Sequence, residues 1–215
     1  MASNEFDFNY AGEREYYARP VTSLRDWRWL TRDMVHWVPG FPEVFHDKRV
    51  LDIGAGESLV TLVIAEIGRA RLSVALELIE HRLWAARNVD MPGLTLVCGD
   101  CLNMPFRDNS FDIVVGNGIL HHLPLAHSVK EISRVLKPGG RYFGREPNFR
   151  NLLVRRKVLG GHHSPNEHVI LPEEISSIFR SEGFEIQIRY FWRRIPWLQN
   201  PWLSVSIPIN ARLTS

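Results

Sequence analysis

Asp52, Gly54 and Gly56 stand close together in the stretch VLDIGAGES, Val50 to Ser58. Glycine has no side chain to keep a ligand at a distance and tolerates backbone angles that other residues avoid, so such a turn lets the main chain approach a bound group closely. Acidic residues recur at the ends of the next two apolar runs: Glu77 closes RLSVALE and Asp100 closes LTLVCGD. A carboxylate about twenty residues beyond a turn of this kind is placed to accept hydrogen bonds from a ribose diol. Asp100 is placed to accept from an adenine amine. A fourth apolar run, FDIVVGN, leads into GNGILHHLP, where Gly116 and Gly118 keep the backbone open. There His121 and His122 add rings that titrate near neutrality.

Two cofactor classes use this geometry. A dinucleotide fingerprint, G-x-G-x-x-G, wants a third glycine for close helix packing beside a pyrophosphate, and this chain has Leu59 there. The spacing is instead D-x-G-x-G-x-S, which suits a cofactor without phosphates that offers a cationic amine to Asp52. In isolation Asp52 could merely cap the turn. Its register with Glu77 and Asp100 favours the ligand reading.

The elements that must position these residues alternate between strand and helix. Leu24, Trp27, Leu30, Met34 and Trp37 recur at three- and four-residue intervals, the spacing of one helical face, and predict an N-terminal helix over 24–38. The strand RVLDIG follows, then a helix from about Ser58 to Gly68, the strand RLSVALE and a helix from Ile79 to Asn88. Next come LTLVCGD, FDIVVGN, a helix from Ala126 to Leu136 and the turn KPGG, which stops that helix because Pro138 cannot continue it. RYFGRE is a fifth strand. Pro172 to Glu182 reads as a helix opened by proline and closed by Gly183, FEIQIRYF as a sixth strand, and part of WLSVSIPINARL as a last, antiparallel one. Short strands rich in Val, Ile and Leu, separated by helices, predict an α/β fold with a doubly wound, mostly parallel seven-stranded sheet. Ligands in such sheets bind beyond the carboxyl ends of the strands.

The segments VLDIGAGES, LELIEHRL, VCGDCLNMPFRDNSFDIVVGNGILHHLP and ISRVLKPGGRYFGREP, within Val50 to Pro147, resemble the successive motifs of class I S-adenosylmethionine-dependent methyltransferases, the branch called methyltransferase type 11. The resemblance implies a Rossmann-like methyltransferase fold, S-adenosyl-L-methionine as cofactor and S-adenosyl-L-homocysteine as product. It implies that Asp52 and the turn Gly54, Ala55 and Gly56 lie against the methionine part. Glu77, with Leu78 beside it, would hold the ribose hydroxyls; Asp100, Cys101 and Leu102 would contact the adenine; Asn117 would flank the sulfonium. The family's third glycine is Ser58 here, a small residue suited to capping a helix N-terminus. In similar enzymes the N-terminal segment folds over the cofactor, which brings in Tyr10, Tyr16, Tyr17 and Arg19 of NYAGEREYYARP; an aromatic ring beside a sulfonium is favourable. Packing of those rings on the core is the competing reading.

A general base is needed only if the acceptor is a hydroxyl that must lose its proton. The candidates are His121, His122, His162, His163 and His168. The stretch GGHHSPNEH, Gly160 to His168, lies where the family inserts material over the acceptor. Its histidines and Glu167 lack an i, i+4 helical pair, so no metal is expected there. Cys98 and Cys101 form a lone CxxC, two ligands short of a zinc site. Both are expected to be packed thiols.

The expected activity is therefore methyl transfer to a small, apolar or lipophilic molecule, O-, N- or C-acceptor left open. A non-catalytic cofactor-binding subunit is the alternative outside enzymology. With a formal charge of +2 and no basic stripe, nucleic acid is not an expected partner. The hydrophobic fraction of 45% and charged fraction of 23% are those of an ordinary globular chain. The prolines of YFWRRIPWLQNPWLSVSIPI exclude a continuous membrane helix, although Arg193 and Arg194 beside tryptophans leave a membrane-surface contact, a dimer face or an acceptor wall open. The start MASNEFDFNY has no signal-peptide pattern, so a cytoplasmic protein is expected. The 215 residues are expected to form a single domain: a lid and helix over 1–48, a cofactor core over 49–147, an acceptor cap over 148–171, and a closing helix and strands over 172–215.

Overall fold

The computed structural model describes residues 8–17, 30–160, 164–191 and 199–214. Its centre is a sheet of seven strands: β1 (Arg49–Ile53), β2 (Leu72–Glu77), β3 (Leu94–Cys98), β4 (Phe111–Asn117), β5 (Leu136–Pro147), β6 (Phe184–Ile188) and β7 (Ser206–Leu213). They lie in the order β3-β2-β1-β4-β5-β7-β6. All pairings are parallel except those of β7, which runs antiparallel to both β5 and β6. The chain winds outward through β2 and β3, then returns to place β4 on the other side of β1. That reversal opens a crevice at the carboxyl ends of β1 and β4. The register aligns the tips: Ile53 lies opposite Leu76 and Gly116, Glu77 opposite Cys98, and Asn117 opposite Arg145.

The helices are α1 (Tyr10–Tyr16), α2 (Leu30–Trp37), α3 (Leu59–Glu66), α4 (Glu80–Leu83), α5 (Leu125–Val135), α6 (Leu152–Leu159) and α7 (Pro172–Ser181). Side chains alternate across the strands, so the sheet has two cores. Leu51, Val114 and Tyr142 pack on one face with Val129 and Ile132 of α5 and Phe179 of α7. Val50, Ile113, Val115 and Phe143 pack on the other with Met34 and Trp37 of α2 and Leu62, Val63 and Ile64 of α3. Burial on both faces is why the strands read as continuous apolar runs rather than alternating ones. Among the described residues no helix is long and apolar enough to cross a membrane.

Several local expectations change. The part of the N-terminal helix that is described begins at Leu30; Leu24 to Trp29 lie outside the described residues. The segment expected to be helical from Ile79 to Asn88 is helical only over Glu80–Leu83. It continues as three-residue turns, with Arg87 N bonded to Trp84 O and Val89 N to Ala86 O, which bring the chain round to Gly93 and β3. KPGG is not a free turn: Leu136 already pairs with Phe111, and Ile113 pairs with Arg141, so residues 137–140 bulge out of β5 opposite Asp112. Asp112 accepts from Lys137 Nζ at 2.6 Å and fixes that bulge. The sixth strand stops at Ile188, and Phe191 returns as a single bridge to Ser206.

Two helices were not read from the sequence. α1 is capped by Asn9, whose Oδ1 accepts from Gly12 N at 2.9 Å; α6 is capped by Asn151, which accepts from Leu153 N and Val154 N. An asparagine preceding each short helix was the available signal. Ser58, conversely, does not cap α3 through its side chain: it sits at φ +61°, in the left-handed region, with a buried hydroxyl that makes no hydrogen bond among the described residues.

Candidate active site

The first turn past β1 needs its glycines. Gly54 and Gly56 have φ of +62° and +54°, and a Cβ on Gly54 would lie 2.5 Å from Ile119 Cδ1. Glu77, at the tip of β2, ties this turn down: Gly56 N donates to its Oε2 at 2.8 Å and Ile79 N to its Oε1 at 3.1 Å. Each carboxylate oxygen has a second lone pair. At the tip of β3, Asp100 accepts from Leu102 N through Oδ1 at 2.8 Å and from the Tyr10 hydroxyl of α1 through Oδ2 at 2.7 Å.

These tips line a cavity of about 150 Å³. It brings together Tyr17, Gly54, Glu77, Leu78, Asp100, Cys101 and Asn117 of the expected cofactor residues, with His122 of the expected catalytic ones. Asp52, Ala55 and Gly56 line a second cavity of about 260 Å³, which shares Gly54, Arg82 and Asn117 with the first. Leu102 lines neither, and bears on the site through its N–H to Asp100. Arg19, His162, His163, Arg193 and Arg194 lie outside the described residues.

Asp52 is buried at the tip of β1. Burial pushes its pKa up to about 7, against the lowering effect of the Thr61 hydroxyl, which donates to Oδ2 at 2.6 Å. Cys98 and Cys101 are free thiols; Cys101 is packed as expected, and burial pushes its thiol up, but Cys98 is exposed, at the end of the edge strand β3.

Asn117 ends β4 and accepts from Arg145 Nε at 3.0 Å. Arg145 also pairs with Asp33 of α2 and stands 5.7 Å above the Trp37 ring. Next to it, Glu146 holds the tight turn Leu120–His122. Its Oε1 accepts from Ile119 N at 3.1 Å and Leu120 N at 3.0 Å, and its Oε2 lies 2.6 Å from His121 Nδ1. Burial works against charge on His121, but the bond to Glu146 and its charge outweigh that and raise the pKa. His122 has the reverse environment. Burial, then the charges of His121, His168 and Arg82, lower its pKa to about 3. Its Nδ1 lies 3.6 Å from Glu13 Oε1 and its Nε2 3.6 Å from Glu167 Oε1. The ligand atoms of His121, His122 and Glu167 fall within 4.8 Å of one another.

The N-terminal segment is tied over this cluster. Glu13 of α1 accepts from Ser164 and, at 2.7 Å, from Asn166 Nδ2; Asn9 N donates to Asn166 Oδ1 at 2.9 Å. Tyr17 stacks under Arg82 at 4.5 Å, and its carbonyl lies 2.8 Å from His81 Nε2. His168 is held by its own loop, Nδ1 lying 3.1 Å from Asn166 O, and lines no cavity described here. Arg82, Arg145, Glu146, Glu13 and Asn166 were not singled out from sequence. The one available signal was RE at Arg145 and Glu146, two charges at the carboxyl end of an otherwise apolar parallel strand.

A family model described as a methyltransferase domain matches residues 51–144. A demethylmenaquinone methyltransferase of Corynebacterium urealyticum is 30% identical over 190 residues, covering 80% of this chain and 76% of that protein. Matches to related Corynebacterium proteins of the same description span about half of the relative's length. A sterol 4-C-methyltransferase of Caenorhabditis elegans is 35% identical over 105 residues, 46% of this chain and 31% of the relative. The fold is that of a solved SAM-dependent methyltransferase from Archaeoglobus fulgidus, with a TM-score of 0.70 at 16% identity, covering 96% of this chain and 100% of that one.

Proposed function

This chain belongs to the S-adenosylmethionine-dependent methyltransferases, and from that premise we propose that it methylates a small lipophilic acceptor by in-line displacement. The observation that carries the reading is the shared cavity. Glu77 and Asp100, from neighbouring strand tips, face the same space as Asn117 and His122.

The residues present fit the cofactor. Glu77 retains acceptor capacity for a ribose diol after bonding Gly56 and Ile79. Asp100 offers an oxygen to the adenine amine once Tyr10 gives it up. Asp52 is a buried acid whose one side-chain donor among the described residues is Thr61, so an ammonium group beside the Gly54–Gly56 turn would favour its charged form. The bound cofactor supplies a methyl group on a sulfonium, with a neutral thioether as leaving group. The protein's task is then mostly alignment, where effective molarities of ~10⁵ M or more are available.

Among the expected catalytic residues we assign His122 to the acceptor, because it lies in the cavity wall and stays neutral at pH 7. Its ring accepts a hydrogen bond from an acceptor hydroxyl. His121, held by Glu146, positions the neighbouring ring at a centroid distance of 4.2 Å. Residues 148–171, carrying α6 and the loop that grips Glu13, are in this reading the acceptor cap of a single domain. The outer cavity is lined by Pro147, Phe191 and Val205 together with the charged Asp33, Arg145 and Glu146; the named relatives act on a quinone and a sterol, which supports an apolar acceptor.

Incubation with methyl-labelled S-adenosylmethionine and a panel of prenylated quinols, sterols and phenols tests the proposal. Label should move to the organic phase with at least one of them. Tight cofactor binding by calorimetry, with transfer only to polar amines or to none, would overturn the acceptor class.

A further inference from the structure

Helix α6 and the loop 200–205 make one continuous surface, because hydrogen bonds join them. Asn151 Nδ2 donates to Leu203 O at 2.9 Å, and Asn148 Nδ2 donates to Pro201 O at 2.8 Å and Ser204 O at 2.7 Å. This surface presents large apolar side chains to water: Leu152 is 72% exposed, Leu153 79%, Trp202 60% and Leu203 53%. A contiguous set of this kind is the mark of an interaction site rather than of scattered surface apolar residues.

Its surroundings are basic. Arg156 and Lys157 follow Leu152 and Leu153 by four residues, so each cation stands one helical turn beyond an exposed leucine on the same side of α6. Arg155 is exposed as well, and among the described residues none of the three makes an ion pair. Arg150, which is itself paired with Glu173, lies 5.7 Å from the Trp202 ring and is not one of those three cations. Apolar anchors that include a tryptophan, flanked by uncompensated cations, complement a surface that is anionic outside and apolar beneath. A second observation points the same way. Val205, at the end of the same loop, also lines a cavity of about 400 Å³ that reaches inward past Phe191 to Asn117 and Gly118, and those two residues line the cofactor cavity.

We infer that this face seats the protein on an anionic membrane surface, with Leu152, Leu153, Trp202 and Leu203 entering the headgroup boundary and Arg155, Arg156 and Lys157 meeting lipid phosphates. The inference rests on the proposed lipophilic acceptor. It gives that acceptor a route from the membrane surface past Val205 and Phe191 to Asn117 and the cofactor cavity.

The test is co-sedimentation of the full chain with phosphatidylcholine vesicles, with and without phosphatidylglycerol. The protein should sediment with the anionic vesicles at low salt and be released as salt screens the lipid charge. Exchanging Arg155, Arg156 and Lys157 together for glutamine should weaken partitioning about a hundredfold. The pair Leu153→Glu and Trp202→Ala should abolish it even at low salt. Cofactor affinity, read by calorimetry, should be unchanged in both variants, which separates this test from that of the activity. Wild-type protein that stays in the supernatant, or variants that sediment as the wild type does, would overturn the inference. So would a dimer that Leu153→Glu splits without any vesicle binding, since the face would then belong to a second copy.

Discussion

His121 and Glu146 form a buried pair, Nδ1 to Oε2 at 2.6 Å, in which the carboxylate also accepts two backbone N–H groups of the turn that carries the histidine. One acid at the end of β5 thus shapes the loop after β4 and fixes the charge of its first histidine. Burial disfavours the imidazolium, but Glu146 more than compensates, so the folded protein holds this proton to a higher pH than the unfolded chain does. The stabilisation is therefore complete below about pH 6.5, the ordinary histidine value, and is lost as pH rises through the raised folded value. Glu146→Gln should remove that downward slope from urea unfolding free energies measured across a pH series. It should also cost about 2 kcal/mol on the acid side, where a charge-assisted bond is lost. An unchanged slope would show that the pair does not hold the proton.

His122 contributes with the opposite sign. Its folded pKa of about 3 lies below that of the unfolded chain, so the unfolded state binds the extra proton as pH falls. Stability should drop on acidification from about pH 6.5 toward pH 3. In His122→Gln the acid-side loss should be smaller, while methyl transfer falls at every pH. Thermal melts across that range read the first effect and initial rates the second; matching melts for variant and wild type would sink the assignment.

Glu77 does two things at once, holding the Gly56 and Ile79 amides and, as proposed, the ribose hydroxyls. Glu77→Ala should weaken cofactor binding roughly 10- to 100-fold, the worth of charge-assisted hydrogen bonds of about 1.5–3 kcal/mol. Glu77→Gln, which keeps an acceptor oxygen, should lose less. Calorimetry decides, and equal affinities in all three proteins would remove Glu77 from the cofactor site.

Ser58 occupies a left-handed conformation with its hydroxyl buried. A non-glycine residue there carries about 1–2 kcal/mol of strain, and the hydroxyl adds a desolvation cost. Glycine relieves both, although it makes the unfolded chain more disordered. Ser58→Gly should stabilise the protein by about 1 kcal/mol in urea unfolding. A destabilised variant would mean that the hydroxyl has a partner in solution.

What the sequence by itself determined was the ladder of strand tips. Two-sided burial makes each parallel strand a short apolar run, and the residue that ends the run is the one that reaches the crevice. Asp52, Glu77 and Asp100 were therefore legible from local pattern alone, as was the glycine turn, whereas Asn117 came from the family resemblance. The tertiary structure decided which groups meet there. Glu146 finds His121 because β5 lies beside β4, and Glu13 and Glu167 flank His122 because α1 folds back onto the loop before α7. Tyr10 reaches Asp100 for the same reason. It also decided the exposed face of α6: no pattern in the sequence marks Leu152 and Leu153 as exposed, and the packing leaves both open among the described residues. Such contacts join residues far apart in the chain through side chains that have no period, whereas strands and helices announce themselves because every second or every third and fourth residue must answer to the same core.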